Sequence, residues 1–186
     1  MMRSSTVQPS TKGATSPRVV AIIQSRMGSV RLPGKMLMPI LEKPMIFYLF
    51  SQLKHCRELD SFILATSTNA ENDPLADFAS SQGVPVFRGS EDDVLSRFLE
   101  ASRAYGADLI VRVTGDEPLI DPFIVDEAVR QHLALGADYT STKIDRTIPQ
   151  GLDVEIFSFA VLEKIAQLSD TPYEKEHETS LLPLIA

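Results

Sequence analysis

The sequence predicts an α/β fold, a parallel-centred sheet flanked by helices in the Rossmann-like manner. Three observations lead there. Short β-branched runs alternate with helical patterns from residue 19 to residue 136. The first two runs are nearly continuous in apolar residues, as strands covered on both faces are. The helical patterns open on short polar residues or proline, and three of them run into a glycine, which suits a left-handed C-terminal cap.

Residues 1–17 are rich in Ser, Thr, Pro and Gly without an apolar period, which predicts a disordered tail ahead of one domain over 18–186. Strands are then expected at Val19–Gln24, Ser61–Thr66, Val84–Arg88 and Leu109–Thr114. Between them, Pro44 opens a helix through Cys56, and Asp73 with Pro74 opens the next. Ser90, three residues before Asp93, resembles a capping box ahead of Val94–Gly106, and Asp121 with Pro122 opens a helix that runs to Gly136. This β-α-β-α-β-α-β order implies parallel strands joined by right-handed crossovers. Two more strands, Asp138–Thr142 and Leu152–Phe159, flank a loop at Ile144–Gln150, and a last helix covers about 160–168. Beyond it a helical stretch begins and breaks off at Ala186, so the domain reads as incomplete at its C-terminus.

Composition narrows the class. The 186 residues suit one core, and 44% hydrophobic with 23% charged residues is ordinary for a globular protein. A single cysteine, Cys56, excludes an internal disulfide and a thiolate zinc finger, and points to a reducing, cytoplasmic setting. No long uncharged apolar stretch is present, and the N-terminus lacks the apolar core of a signal peptide, so neither membrane insertion nor export is expected. Charge is uneven. Residues 1–41 carry six cations and no acid, so with a net charge of −7 the remainder carries −13. An acidic chain poor in aromatics argues against a nucleic-acid polymer as partner but leaves room for a local anion site.

In open α/β sheets ligands bind beyond the carboxyl ends of the strands. The loop after the first strand, Ser25 to Lys35, holds Gly28, Gly34, Arg26, Arg31 and Lys35. Glycines let backbone amides approach an anion and the cations neutralise it, which is the composition of a polyphosphate cradle. A solvated turn has the same composition. The spacing is neither a Walker loop nor G-x-G-x-x-G. The fourth strand ends in Gly115-Asp116-Glu117-Pro118. A carboxylate there, Asp116, suits a hard cation such as Mg²⁺, or else caps its own turn. Together the two loops would converge on a Mg²⁺-nucleoside triphosphate.

These residues resemble a known family. Arg26, Ser29, Arg31, Leu32, Pro33 and Lys35 complete the pattern R-x-x-S-x-R-L-P-x-K of cytidylyltransferases that activate sugar acids, including 3-deoxy-manno-octulosonate and acylneuraminate cytidylyltransferases. Residues 115–120 match the family's metal-binding turn, and 87–98, 111–122 and 151–158 resemble its spore-coat polysaccharide subgroup. The resemblance implies a nucleotide-diphospho-sugar transferase fold and the reaction of CTP with a sugar acid to give a CMP-sugar and pyrophosphate. It implies triphosphate binding by Arg26 and Lys35, helped by Arg31 and the loop from Ser25 through Gly28 to Ser29, with Mg²⁺ on Asp116. Arg88 or Arg97 would lie near the base or phosphates. The sugar is expected near Arg146, Asp153 and Glu155, with Arg146 or Lys143 meeting its carboxylate, and His177 facing it by the resemblance. Asp153 and Glu155, two apart, equally suit one face of a half-exposed strand without chemistry.

The same resemblance implies a homodimer, and a second metal-binding aspartate on a segment past Ala186. Alternatives are a catalytically weak nucleotide-binding or regulatory remnant, or a transferase for another nucleotide. No histidine is expected as a base, since His55 and His132 lie in helical patterns at surface or half-buried positions. Phe47, Tyr48 and Phe50 read as core and Cys56 as inert.

Overall fold

In the computed structural model, which describes residues 16–29, 31–144, 146, 148–169 and 171, the run VVAIIQ forms the centre of the sheet. It makes strand β1 (Val19–Gln24), whose first five residues have no exposed surface. The chain continues through β2 (Pro39–Ile40), β3 (Lys43–Pro44), α1 (Met45–Leu53), β4 (Ser61–Ser67), α2 (Asp73–Ser81), β5 (Val86–Gly89), α3 (Val94–Tyr105), β6 (Leu109–Thr114), α4 (Pro122–Leu135), β7 (Tyr139–Ser141), β8 (Glu155–Ser158) and α5 (Phe159–Leu168). Short 3-10 turns at Lys35–Leu37 and Ala70–Asn72 interrupt the loops after β1 and β4.

The main sheet has the order β5-β4-β1-β6-β8-β7, and β2 with β3 forms a separate hairpin. The four strands expected to be parallel are parallel. β8 runs antiparallel to both β6 and β7. Alternation along β1 divides the core into two layers. Val19, Ala21 and Ile23 pack with Leu49, Phe50, Leu75 and Val129 from α1, α2 and α4. Val20 and Ile22 pack with Leu95, Phe98, Leu162 and Ile165 from α3 and α5. Helix α4 thus lies on the face opposite α3 although β5–α3–β6 and β6–α4–β7 cross the sheet in the same direction. These two crossovers are of opposite hand, and only one of them follows the right-handed rule.

Several boundaries differ from expectation for physical reasons. Pro44 stays extended (φ −52°, ψ 144°) and pairs in the hairpin, so α1 starts at Met45. Asn72, not Asp73, occupies the N-cap of α2, and its side chain caps nothing there because it is engaged elsewhere. At α3 the cap is Asp93, whose carboxylate accepts from the Ser96 amide at 2.8 Å, while the Ser90 hydroxyl accepts from the Asp93 amide in the preceding turn. The expected caps at Asp121, Gly106 and Gly136 are present. Strand β5 begins two residues later than expected. Pro85 lies outside it and offers only its carbonyl, to the Leu64 amide. β8 is shorter than 152–159 because Asp153 is drawn to Arg146 and Phe159 already begins α5. The expected disordered tail falls mainly on residues 1–15, and the expected C-terminal helical stretch on 172–186, both outside the described residues.

Candidate active site

Strand order reverses direction between β1 and β6: the chain leaves β1 toward β4 and leaves β6 toward the opposite edge. Loops beyond such neighbouring carboxyl ends part and leave a crevice. Here it is a cleft of about 440 Å³, lined by Ser25, Arg26, Gly28, Ser29, Arg31, Lys35, Arg97 and Asp116 among others. The two loops approach closely because residue 115 is glycine. A Cβ there would collide with the Ser25 side chain, 2.6 Å from its Cβ, and would lie 3.3 Å from the Gln24 carbonyl. The Gly115 amide donates to that carbonyl at 2.9 Å and joins the two loops at their roots.

The loop after β1 folds on Met27. Its carbonyl accepts from the amides of Ser29 (2.8 Å) and Gly34 (3.0 Å), the latter with φ +74°, a conformation that disfavours any side chain. A Cβ at Gly28 would come within 2.6 Å of Glu71 Oε1. Across the cleft, Lys35 Nζ donates to Asp116 Oδ2 at 2.5 Å, and on the other side Arg26 Nη1 donates to Glu91 Oε1 at 2.8 Å. Burial opposes ionisation of Asp116, but the Lys35 hydrogen bond and charge outweigh it and hold the carboxyl below its usual range. Its neighbour Glu117 is buried, its Oε2 has no hydrogen-bond partner among the described residues, and burial pushes it up to about 7.

Of the further arginines, Arg97 is buried, reaches the Ser90 and Glu91 carbonyls with Nη1 and lines the cleft. Arg88 does not line it. Nη1 pairs with Asp73 at 2.6 Å, while Nε and Nη2 donate to the carbonyls of Ser67 and Asn69 at 2.9 and 3.0 Å, which ties β5 to the turn after β4. Of the two arginines expected near the base or phosphates, Arg97 is thus the one at the cleft, and the Arg88 guanidinium at its strand end is taken up by neighbouring carbonyls.

The expected sugar residues lie away from the cleft. Glu155 is 3% exposed, so the half-exposed strand face is not observed. It accepts from Arg112 Nη1 (2.6 Å), Lys143 Nζ (2.7 Å) and the Tyr139 hydroxyl (2.7 Å). Burial disfavours its charge, and the charge of Arg112 with these hydrogen bonds more than compensates, so its pKa is lowered. Asp153 precedes the strand and makes two bonds with Arg146, at 2.8 and 3.1 Å. None of Arg146, Asp153 and Glu155 lines the cleft, and His177 lies outside the described residues.

Sequence reasoning passed over Arg112 and Gln24, which bond to each other at 2.9 Å on the floor of the cleft. A charge inside the otherwise apolar strand LIVRVT was the available signal. Phe50 is core, Phe47 and Tyr48 are half-buried, and the Tyr48 hydroxyl donates to the Ile40 carbonyl. His132 is buried against Thr140 on α4, which lowers its pKa through burial. Burial raises the Cys56 thiol to about 12. Among the described residues no cluster of three metal-ligating side chains occurs, and no helix is long and apolar enough to cross a membrane.

The family model for cytidylyltransferases matches residues 20–185. An uncharacterised protein of Methanocaldococcus jannaschii is 41% identical over 87% of this chain and 65% of its own length. The spore coat polysaccharide biosynthesis protein SpsF of Bacillus subtilis is 38% identical over 66% of this chain and 52% of its own. A 3-deoxy-manno-octulosonate cytidylyltransferase of Trichlorobacter lovleyi is 36% identical over 62% and 45%. The chain therefore spans about half to two thirds of the length of these relatives. Among solved structures, a cytidylyltransferase from Leptospira borgpetersenii superposes with a TM-score of 0.86 at 36% identity, over 90% of this chain and 71% of that one.

Proposed function

Because the chain belongs to the cytidylyltransferase family, we propose that it transfers CMP from CTP to a hydroxyl of a sugar acid, for surface polysaccharide biosynthesis in the cytoplasm. The hydroxyl oxygen gives up its proton to water and forms a bond to the α-phosphorus, the bond from that phosphorus to the oxygen bridging to the β-phosphate breaks, and pyrophosphate leaves. Such transfer needs in-line placement and neutralisation of charge on the phosphates, and little covalent work from the protein.

The observation that carries the reading is the cleft itself: Arg26, Arg31 and Lys35 on one loop face Asp116 on the other, where β1 and β6 end. In this reading Arg26, Lys35 and the amides from Ser25 to Ser29 hold the triphosphate, and Arg97 stands near the base or phosphates. A polyphosphate would take Lys35 from Asp116, an exchange that their partly exposed pair allows. The donor set fits Mg²⁺, which binds through one or two carboxylates together with substrate phosphates and waters; here Asp116 is that carboxylate. When bound, the ion supplies positive charge against the negative charge that develops during transfer. The sugar acid lies beside Arg112, the cation of β6 that lines the cleft.

Pyrophosphate release measured from CTP, Mg²⁺ and a panel of sugar acids, with ATP, GTP and UTP as competitors, tests the proposal. Turnover with CTP preferred is expected. CTP binding without pyrophosphate release would leave a nucleotide-binding protein, and preference for another nucleotide would overturn the cytidylyl assignment.

A further inference from the structure

The cation loop is held from behind by side chains that do not line the cleft. Asn72, without exposed surface, ends the turn after β4. Its Oδ1 accepts from the Met27 amide at 2.8 Å, and its Nδ2 donates to Ser67 Oγ at 2.8 Å and to Glu91 Oε2 at 3.4 Å. The other oxygen of Glu91 is the one that accepts from Arg26 Nη1. Burial opposes ionisation of Glu91, but the Ser67 hydroxyl and Arg26 hydrogen-bond to it and lower its pKa, so it is charged at neutral pH.

One connected set of bonds therefore grips the loop twice, by its backbone at Met27 and by its side chain at Arg26. The residue types follow from the inventory of donors and acceptors. Position 72 must accept from an amide and donate to a hydroxyl and a carboxylate at once, which a side-chain amide does and a carboxylate does not. Position 91 must offer two oxygens to Ser67, Asn72 and Arg26, which a carboxylate does. The Glu91 side chain is 17% exposed and that of Arg26 47%, so the anchor is sheltered and the anchored group faces solvent at the cleft.

We infer that Asn72 and Glu91 are positioning residues for the triphosphate, setting the Met27 backbone and the Arg26 guanidinium in place before the anion arrives. This rests on the triphosphate reading of the loop given above. Ligand-binding groups held in advance by a surrounding shell do not spend binding energy on being ordered. The competing role for Glu91, a rival for the guanidinium that phosphate must displace, predicts the opposite sign on its removal.

A double-mutant cycle decides, with inorganic triphosphate and CTP as calorimetric probes of the full chain. Glu91→Gln is expected to weaken inorganic triphosphate binding about 3- to 10-fold when Arg26 is present, and less than about 2-fold in an Arg26→Met background. Melting temperatures are expected to stay within about 2 °C of the parent. An equal loss in both backgrounds, or tighter binding by Glu91→Gln, overturns the inference. Asn72→Asp keeps the acceptor for Met27 but sets a second carboxylate against Glu91; a loss at least equal to that of Glu91→Gln is expected, and parental affinity overturns the inference. Parental protein that binds neither probe overturns both this inference and the triphosphate reading. Parental protein that binds inorganic triphosphate without preferring CTP overturns the cytidylyl assignment alone, and the cycle still decides the role of Glu91.

Discussion

Lys35–Asp116 lines the cleft with both its groups and Arg112–Glu155 with its arginine alone; the two pairs are similarly short, 2.5 and 2.6 Å, but they differ in where their acids sit. The Asp116 side chain is 42% exposed and that of Glu155 4%. In the first pair each group has water or phosphate as an alternative partner, so the bond is exchangeable. In the second, loss of Glu155 takes away the buried carboxylate that both Arg112 and Lys143 face, at a place where little water can replace it. A cation–carboxylate pair is thus exchangeable where it is wet and a brace where it is buried.

The comparison can be broken most severely at Glu155. Glu155→Ala strands the Arg112 charge and should cost about 3–5 kcal/mol of stability, or roughly 10 °C or more in thermal unfolding. A change within 1 °C would show that the brace is as dispensable as a surface pair. Asp116→Ala, by contrast, should leave thermal unfolding nearly unchanged while pyrophosphate release falls about 10²- to 10³-fold. Normal turnover in that variant would remove Asp116 from the site. Lys35→Ala should weaken CTP binding about 10- to 100-fold with a stability change below about 1 kcal/mol; unchanged affinity in calorimetry defeats the loop as a phosphate site. The smallest effect is a dependence on pH. The Glu155 pKa is lowered from 4.5 in the folded protein, so its contribution is complete above that value and is lost as pH falls through the lower folded value. Denaturant titrations between neutral pH and pH 3 should show a steeper acid loss in the parent than in Glu155→Gln, and identical slopes would refute the coupling.

What could be read from residues alone followed how local the determining interaction is. β1, β4, β6 and the starts of α3 and α4 announce themselves in apolar runs and neighbouring caps, and Lys35 with Asp116 lie where strand ends must lie. β8 was placed only loosely, because its position between β6 and β7 depends on pairings made across more than forty residues, such as Arg112 with Glu155. Arg88 and Asp153 are paired for a related reason that residues alone do not announce: Asp73 and Arg146 lie within bonding distance of them in the fold. Asn72 was hidden most completely, since an Asn ahead of Asp-Pro has the look of a helix cap while its side chain serves a loop 45 residues earlier.

The insertion of β8 between β6 and β7 bears on the order of assembly during synthesis. Among the described residues β7 joins the sheet through β8 alone, so although it comes first in the chain its partner strand there, Glu155–Ser158, follows it. Over that interval the outer edge of β6 is open, with unpaired backbone groups that invite association with another chain. Arg112, set in that edge strand, precedes its carboxylate by 43 residues. A charge on an open strand edge disfavours its pairing with another chain.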